Sequence, residues 1–148
     1  MQHIHISVDT QTLRLFSGEN LLRTYPVSTS KYGRGCEEGS FKTPTGRFQI
    51  SEKIGDGHRQ GEVFRSRQAT GNIGDETNEN DLIQTRILWL EGLEAHNANT
   101  RQRYIYIHGT NHESKIGQAV SQGCVRMRNA DIVDLFNLVD KGIGVVIE

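Results

Sequence analysis

The 148 residues are enough for one domain with a buried core, and we expect residues 1–148 to form a single domain. The 17 basic and 18 acidic residues nearly cancel, and no basic run is interleaved with aromatic residues, which argues against nucleic-acid binding. No apolar stretch approaches the length that spans a bilayer. Sixteen glycines against two prolines indicate many turns and strand ends rather than a helical bundle.

The first part of the chain shows the alternation that is typical of strands. Ile4, Ile6 and Val8 alternate with polar residues, which predicts a strand with one buried face. His3 and His5 share the other face, where we expect packed or solvated imidazoles rather than a metal site. Polar turns separate this run from the next ones, so the pattern predicts an antiparallel meander. The strands predicted here are residues 3–9, 12–16, 21–28 and 47–50.

Two glycine-rich segments interrupt these strands. Residues 29–44 are predicted to form a loop that ends at Pro44. Residues 51–81 are polar, with one short strand expected at Val63-Phe64. Because a long irregular segment inside a compact domain is usually functional or mobile, we interpret it as a flap or hairpin near the functional site. An inert surface insertion is the alternative.

The last part of the chain adds two strands, a helix and a final strand. We predict strands over residues 83–93 and 103–107, the second ending at His108. Asn129 is the predicted N-cap of a helix, because Ile132, Leu135, Phe136 and Val139 follow at the spacing of one helical face. Gly142 is expected to end this helix, and residues 143–147 form the closing strand. The prediction is a mainly β fold with one clear helix.

His108 and Cys124 are the candidate catalytic residues, 16 positions apart and each beside a glycine. A thiol attacks carbonyl groups as the thiolate, and a neighbouring imidazole is the usual base that generates a thiolate near neutral pH. The pair therefore predicts acyl transfer. Spacing alone leaves open a buried structural thiol and a packed histidine.

The residues around this pair suit the same chemistry. Gly123 lets the backbone turn sharply and leaves the amides of Gly123 and Cys124 as oxyanion donors. Arg126 is placed to bind a substrate carboxylate through its two-pronged guanidinium. The second ring nitrogen of His108 needs an acceptor, and we expect the backbone carbonyl of Gly109 or Thr110 to serve.

Two motifs carry a more specific resemblance. The run Ile107-His108-Gly109-Thr110, followed by Ser121-Gln122-Gly123-Cys124-Val125-Arg126-Met127, resembles the catalytic signature of the L,D-transpeptidase (YkuD-type) family. The hairpin at residues 4–16, the TPTGRF turn at 43–48 and the C-terminal helix and strand are also similar to that family. The resemblance covers most of the chain, with residues 51–83 as the part that does not match.

The resemblance implies a mainly β sandwich or barrel with one or two short helices. It implies Cys124 as nucleophile and His108, with Gly109, as its base, while Arg126, Ser121, Gln122 and Thr110 are expected to bind substrate. The family cleaves the meso-diaminopimelate–D-alanine bond of a peptidoglycan tetrapeptide through a thioacyl-enzyme. An amine then gives a 3→3 cross-link or lipoprotein attachment, and water gives a tripeptide. The implied partner is a stem peptide or muropeptide, with no metal or organic cofactor, and we expect a monomer.

Gln122 departs from the family motif, which has a histidine at this position. Glutamine donates and accepts hydrogen bonds but carries no charge near neutral pH, so the departure affects the surroundings of the thiol and the choice of acceptor. The first functional hypothesis is an L,D-transpeptidase. The second is an L,D-carboxypeptidase that trims recycled tetrapeptides, and the third is a non-catalytic module that binds wall peptides.

The N-terminus bears on location. Residues 1–8 show neither the charged and apolar regions nor the cleavage site of a signal peptide. We therefore expect a cytoplasmic protein if Met1 is the native start, and a periplasmic or cell-envelope protein if the sequence was trimmed from a longer chain.

Three further patterns are weaker. Ser28 and Lys31 match the S-x-x-K of serine penicillin-recognising enzymes, but no S-D-N or K-T-G follows. His108 and His112 have the i, i+4 spacing of a metallohydrolase, yet the intervening residues form helices poorly and no H-E-x-x-H glutamate is present. A Cys36–Cys124 disulfide would block thiolate chemistry, and we expect both thiols to be free.

Overall fold

The computed structural model describes all residues from Met1 to Glu148. It contains ten strands, the α-helix α1 (Asn129–Leu138) and two short 3₁₀ turns at Ala95–Asn97 and Glu113–Lys115. The strands are β1 (Gln2–Ser7), β2 (Thr12–Ser17), β3 (Asn20–Ser28), β4 (Gly46–Ile54), β5 (Glu62–Arg65), β6 (Gln68–Ile73), β7 (Ile83–Gly92), β8 (Tyr106–Thr110), β9 (Val125–Met127) and β10 (Gly144–Ile147).

Eight of the strands form a closed ring in the order β4-β10-β1-β2-β3-β9-β8-β7, because β7 also pairs with β4. The β1–β10 and β8–β9 pairs are parallel, and the other pairs of the ring are antiparallel. A closed ring removes the exposed edges of an open sheet. The prediction of a mainly β fold is confirmed, and of the two forms expected, sandwich or barrel, the structure has the barrel.

The β5–β6 hairpin lies outside the ring. It is joined to the first residues of β7, where Val63 pairs with Gln84 and Phe64 with Ile83. The prediction of a hairpin within residues 51–81 is confirmed. The expected strand at Val63-Phe64 is β5, whereas β6 was not predicted, because its sequence is polar and largely exposed.

The alternation of β1 separates a buried face from an outer face. Ile4 and Ile6 are fully buried in the main core, together with Leu13 and Leu15 of β2. On the outer face the His3 ring stacks on Phe16, and His5 forms a 2.6 Å hydrogen bond with the Glu148 carboxylate. Both histidines therefore have packing or surface partners.

Helix α1 packs its apolar face into the same core through Ile132, Leu135 and Phe136. Both ends are held by charged side chains. The Glu113 carboxylate accepts the Asn129 backbone N–H at 2.8 Å, and the Lys53 ammonium donates to the carbonyls of Phe136 and Val139 at 2.7 and 2.6 Å. A negative charge at the N-terminus and a positive charge at the C-terminus match the helix dipole. The contacts also satisfy backbone groups that the helix leaves unpaired. The helix is too short and too polar to cross a bilayer.

Two predicted boundaries near the candidate site are wrong. The strand predicted at residues 103–107 lies at Tyr106–Thr110, so His108 is its central residue. The reason is a turn in which the Arg103 N–H bonds to the Asn99 carbonyl and Tyr104 adopts a φ of 58°. The helix N-cap is Arg128 rather than Asn129, whose side chain turns inward instead.

Candidate active site

His108 and Cys124 line one open cleft of about 440 Å³. Its walls come from the 29–44 loop, the residues at the start of β7, the turn before β8 and the segment before β9. The lining residues are Glu38, Gly39, Phe41, Asp81, Ile83, Gln102, Arg103, Tyr104, Ile105, His108, Gln122 and Cys124.

His108 is buried, and one of its ring nitrogens is held by a backbone carbonyl. The residue is 1% exposed, and Nδ1 lies 2.5 Å from the Gly109 carbonyl oxygen. Because a carbonyl only accepts, Nδ1 carries the proton and Nε2 is left as the basic nitrogen. Burial lowers the pKa of His108; Asp81 and the Gly109 carbonyl oppose this change, and Arg126 reinforces it. The imidazole is therefore neutral near neutral pH. The predicted hydrogen bond to Gly109 is confirmed.

Gly109 has no space for a side chain. A Cβ atom there would lie 2.6 Å from the Gln84 carbonyl oxygen and would also clash with the Asn129 side-chain oxygen. Asn129 in turn accepts a 2.6 Å hydrogen bond from the Thr85 hydroxyl and donates to the Thr110 carbonyl at 3.0 Å. The segment that carries His108 is thus fixed where β7, β8 and α1 meet.

The Cys124 thiol is held by backbone groups of the neighbouring strand. Its Sγ accepts the Tyr106 N–H at 3.3 Å and donates to the Tyr104 carbonyl at 3.3 Å. Burial raises the pKa of Cys124 to about 12, although the Tyr106 amide and the nearby Arg126 and Arg103 lower it. In this state the thiol is protonated and its hydrogen bonds go to Tyr104 and Tyr106 rather than to His108.

The turn before the cysteine is held together by Ser121. Its hydroxyl donates to the Cys124 carbonyl at 2.6 Å and accepts the Gly123 N–H at 3.3 Å. The Thr43 hydroxyl donates to the Gly123 carbonyl at 3.0 Å, and Gly123 has a φ of 121°, which favours glycine. The Cys124 amide makes no hydrogen bond within the chain. Of the two predicted oxyanion donors, the Cys124 N–H is free, and the Gly123 N–H is held by the 3.3 Å hydrogen bond to the Ser121 hydroxyl.

An ion pair that was not predicted from the sequence lies beside His108. Asp81 Oδ2 accepts from Arg126 Nη2 at 2.8 Å, and the Arg126 side chain is only 6% exposed. Arg126 Nε is buried without a partner. Arg126 pairs with His108 in the parallel β8–β9 register, which places this cation next to the imidazole. The role predicted for Arg126, binding a substrate carboxylate, stays a prediction.

A family model described as the L,D-transpeptidase catalytic domain, YkuD, matches residues 1–147. The chain belongs to this family. It is 30% identical over 145 residues to a Bacillus subtilis protein named as L,D-transpeptidase YkuD, a match that covers 98% of the chain and 65% of that protein. It is 33% identical over 145 residues to Bacillus subtilis YqjB, also named as an L,D-transpeptidase, with 98% and 70% of the two sequences covered. The chain thus spans just under two thirds of the first of these relatives.

Solved L,D-transpeptidase structures share the fold. LdtMt1 in complex with imipenem superposes with a TM-score of 0.63 at 21% identity, covering 99% of this chain and 58% of that one. The catalytic domain from the Enterococcus faecium L,D-transpeptidase gives a TM-score of 0.60 at 13% identity, with 100% and 97% covered.

Two residues expected to bind substrate in this L,D-transpeptidase domain are turned away from the cleft. Ser121 is fully buried, with its hydroxyl bonded within the turn. Thr110 is fully buried too, and its hydroxyl accepts the His112 N–H at 3.1 Å. Both hydroxyls stabilise backbone groups of the chain, and the substrate contact predicted for Ser121 and Thr110 stays a prediction. Gln122 is exposed and lies on the cleft wall, as a substrate-binding residue requires.

Arg103, Tyr104 and Tyr106 also belong to the site and were missed. Arg103 donates to the Lys42 carbonyl at 2.7 Å, which fastens the 29–44 loop to the cleft. Tyr104 and Tyr106 act on the thiol through backbone atoms, for which side-chain patterns give no signal. The signal that could have identified these three residues was their proximity in sequence to His108.

The weaker patterns find no support in the geometry. The buried Ser28 hydroxyl donates to the Lys115 carbonyl, whereas Lys31 is exposed and lies over the Tyr32 ring. His108 lies in a strand and His112 bonds to the Asn78 carbonyl, so the two do not share a helical face. Cys36 and Cys124 are free thiols.

Replacing Asp81 with Asn is expected to shift the pH dependence of catalysis. Asp81 raises the pKa of His108, and its loss also leaves the Arg126 cation uncompensated, so the pKa of His108 falls further. The acid limb of kcat/KM against pH then moves to lower pH, because the neutral imidazole persists at lower pH. Asp56→Asn, in an exposed turn, is the control. An unchanged or upward-shifted limb in the Asp81 variant would refute this role.

Proposed function

We propose that this domain performs cysteine-dependent acyl transfer on peptidoglycan stem peptides, cleaving the meso-diaminopimelate–D-alanine bond. The observation that carries the proposal is the neutral His108, with a free Nε2, in the same cleft as the Cys124 thiol and its unpaired amide. Membership of the L,D-transpeptidase family supports the reaction class, and relatives carry that name. The imipenem complex of LdtMt1 suggests a carbapenem as a probe of the thiol.

The first half-reaction forms a thioester. The Cys124 thiol leaves the Tyr104 carbonyl and gives its proton to His108 Nε2 as Sγ attacks the carbonyl carbon of the scissile amide. The negative charge on the carbonyl oxygen is stabilised by the Cys124 N–H, with Gly123 as the second donor once its weak bond to Ser121 loosens. The imidazolium then protonates the departing D-alanine amine, and the C–N bond breaks.

Proton transfer accompanies attack in this scheme, because the resting pair is neutral. The pKa of Cys124 is raised by burial and that of His108 is lowered by burial, so both shifts disfavour a preformed thiolate–imidazolium pair. A general base that receives the proton during attack avoids this cost. Asp81, which raises the pKa of His108, favours the imidazolium that forms.

The second half-reaction reverses these roles. His108 takes a proton from the incoming amine or water, which attacks the thioester carbon, and Cys124 leaves as the thiol. An amine acceptor makes the domain an L,D-transpeptidase, and water makes it an L,D-carboxypeptidase. Gln122 is the observation that keeps the second function in view, because it lies on the cleft wall where the family motif has a histidine.

Incubation with a disaccharide-tetrapeptide tests the proposal. We expect release of D-alanine, with cross-linked dimer as the main product, separated by chromatography and identified by mass. Tripeptide in place of dimer would assign the carboxypeptidase function. Tight binding without release of D-alanine would contradict acyl transfer and assign the non-catalytic module.

The contribution of Gln122 is measured in the same assay. Gln122→His restores the family motif, and Gln102→His is the matched control, because Gln102 lines the same cleft on another segment. We expect the ratio of dimer to tripeptide to change in the Gln122 variant alone. Equal ratios in both variants would remove Gln122 from the choice of acceptor.

A further inference from the structure

The tip of the β5–β6 hairpin carries an arginine that contacts aromatic residues beside the candidate active site. Ser66 and Arg67 form the two-residue turn, with φ values of 49° and 64°, the left-handed pair that a tight hairpin requires. The Arg67 guanidinium carbon lies 5.0 Å from the centre of the Trp89 ring and 5.1 Å from that of Tyr104. Its Nη1 donates to the Tyr106 hydroxyl at 3.1 Å. One cation thus contacts three aromatic side chains.

Two of these aromatic residues hold the catalytic thiol through their backbones. The Tyr104 carbonyl accepts the thiol proton, and the Tyr106 N–H donates to Sγ, both at 3.3 Å. The Arg67 side chain therefore contacts the two residues that set the position of the sulfur. A second cleft, lined by residues that include Arg67, Tyr104 and Tyr106, adjoins the catalytic cleft at Ile83 and Tyr104.

Tyr104 needs such a contact. Its φ of 58° is unfavourable for a residue with a side chain, and the residue is 53% exposed, so burial contributes little to holding it. A guanidinium over an aromatic face is attracted to it, and a charged donor makes a strong hydrogen bond to a hydroxyl. Arg67 supplies both interactions from outside the barrel.

We infer that Arg67 is a positioning residue for Cys124: by holding the Tyr104 ring and the Tyr106 hydroxyl, it fixes the carbonyl and the amide that orient Sγ. The inference rests on the proposed function, because it assigns Arg67 to the half-reaction in which Sγ attacks. It assigns the β5–β6 hairpin a part in catalysis that needs no contact between Arg67 and substrate.

Arg101 provides a matched control. Its guanidinium carbon lies 4.1 Å from the centre of the same Trp89 ring, but its nitrogens bond to Ser51 and Glu52. Arg101→Met and Arg67→Met each remove one cation from Trp89. Only Arg67→Met removes a contact with Tyr104 and Tyr106. Both variants are made in a Cys36→Ser background, so that Cys124 is the one thiol.

The first readout is the Tyr106 amide, followed by NMR. We expect its hydrogen exchange to accelerate by about tenfold or more in Arg67→Met, because the N–H···S bond loosens, and to stay unchanged in Arg101→Met. The second readout is the rate of Cys124 acylation by imipenem, followed by intact mass. It should fall between about ten- and a hundredfold in Arg67→Met alone, which is the cost of a misplaced nucleophile.

The same exchange rate for Tyr106 in both variants would overturn the inference, whether or not Tm falls. This outcome is distinct from failure of the proposed function, in which the unsubstituted domain releases no D-alanine from a tetrapeptide. If Arg67→Met does not fold, Tyr106→Phe removes only the hydroxyl that Arg67 contacts. We expect this variant to accelerate the same amide exchange, and unchanged exchange there would also overturn the inference.

Discussion

Replacing His108 with Gln is expected to lower kcat/KM for a tetrapeptide by about 10²- to 10⁴-fold, the usual contribution of a positioned general base. The glutamine amide can still donate to the Gly109 carbonyl, as Nδ1 does at 2.5 Å, but it offers no nitrogen that accepts a proton. The loss should therefore appear in the acylation step, with little change in Tm. Initial rates of D-alanine release and thermal unfolding measure the two effects.

His112→Gln is the control for this substitution. His112 is the same residue type four positions along the chain, and its Nε2 bonds to the Asn78 carbonyl on the rim. We expect this variant to retain the rate of the unsubstituted domain. Loss of activity in both variants would favour a site in which the two histidines act together, and full activity in His108→Gln would exclude His108 as the base.

The scaffold of the site could be predicted from the sequence where interactions between residues close in sequence decide the structure. The apolar alternation of β1 and β2 and the spacing of Ile132, Leu135 and Phe136 placed a meander and a helix correctly, because burial of one face imposes the period. The same holds for the Gly109 carbonyl as partner of His108, since the two residues are adjacent in sequence.

Contacts between residues from distant parts of the chain could not be predicted from the sequence. Asp81 lies beside Arg126 because the start of β7 and strand β9 flank β8, and no local pattern in the 51–81 segment reports that pairing. Strand β9 has three residues and depends on hydrogen bonds to β3 and β8. Its existence follows from the ring rather than from its own sequence.

The direction in which a side chain points was the other feature that the sequence alone could not predict. The motif suggested that Ser121 and Thr110 face the substrate, yet both hydroxyls satisfy backbone groups inside the loops. A buried hydroxyl needs a partner, and a tight turn supplies one at short range. The same motif placed Gln122 in the cleft correctly, because it is the exposed residue of the turn.

In the proposed reaction, Cys124 forms the thioacyl-enzyme. Cys124→Ala removes the sulfur that attacks, so we expect kcat/KM to fall by at least about 10⁴-fold, as loss of a covalent nucleophile does elsewhere. The thiol lines the cleft, and hydrogen bonds to and from sulfur are weak, so its removal should change Tm little. Cys36→Ser is the matched control, because Cys36 is also a free thiol and does not line the cleft.

The direct measurement is the intact mass of each protein after incubation with a tetrapeptide and quenching with acid. We expect an adduct equal to the tetrapeptide minus D-alanine on the unsubstituted domain and on Cys36→Ser, and no adduct on Cys124→Ala. The same adduct on Cys124→Ala would contradict the assignment of Cys124 as the nucleophile.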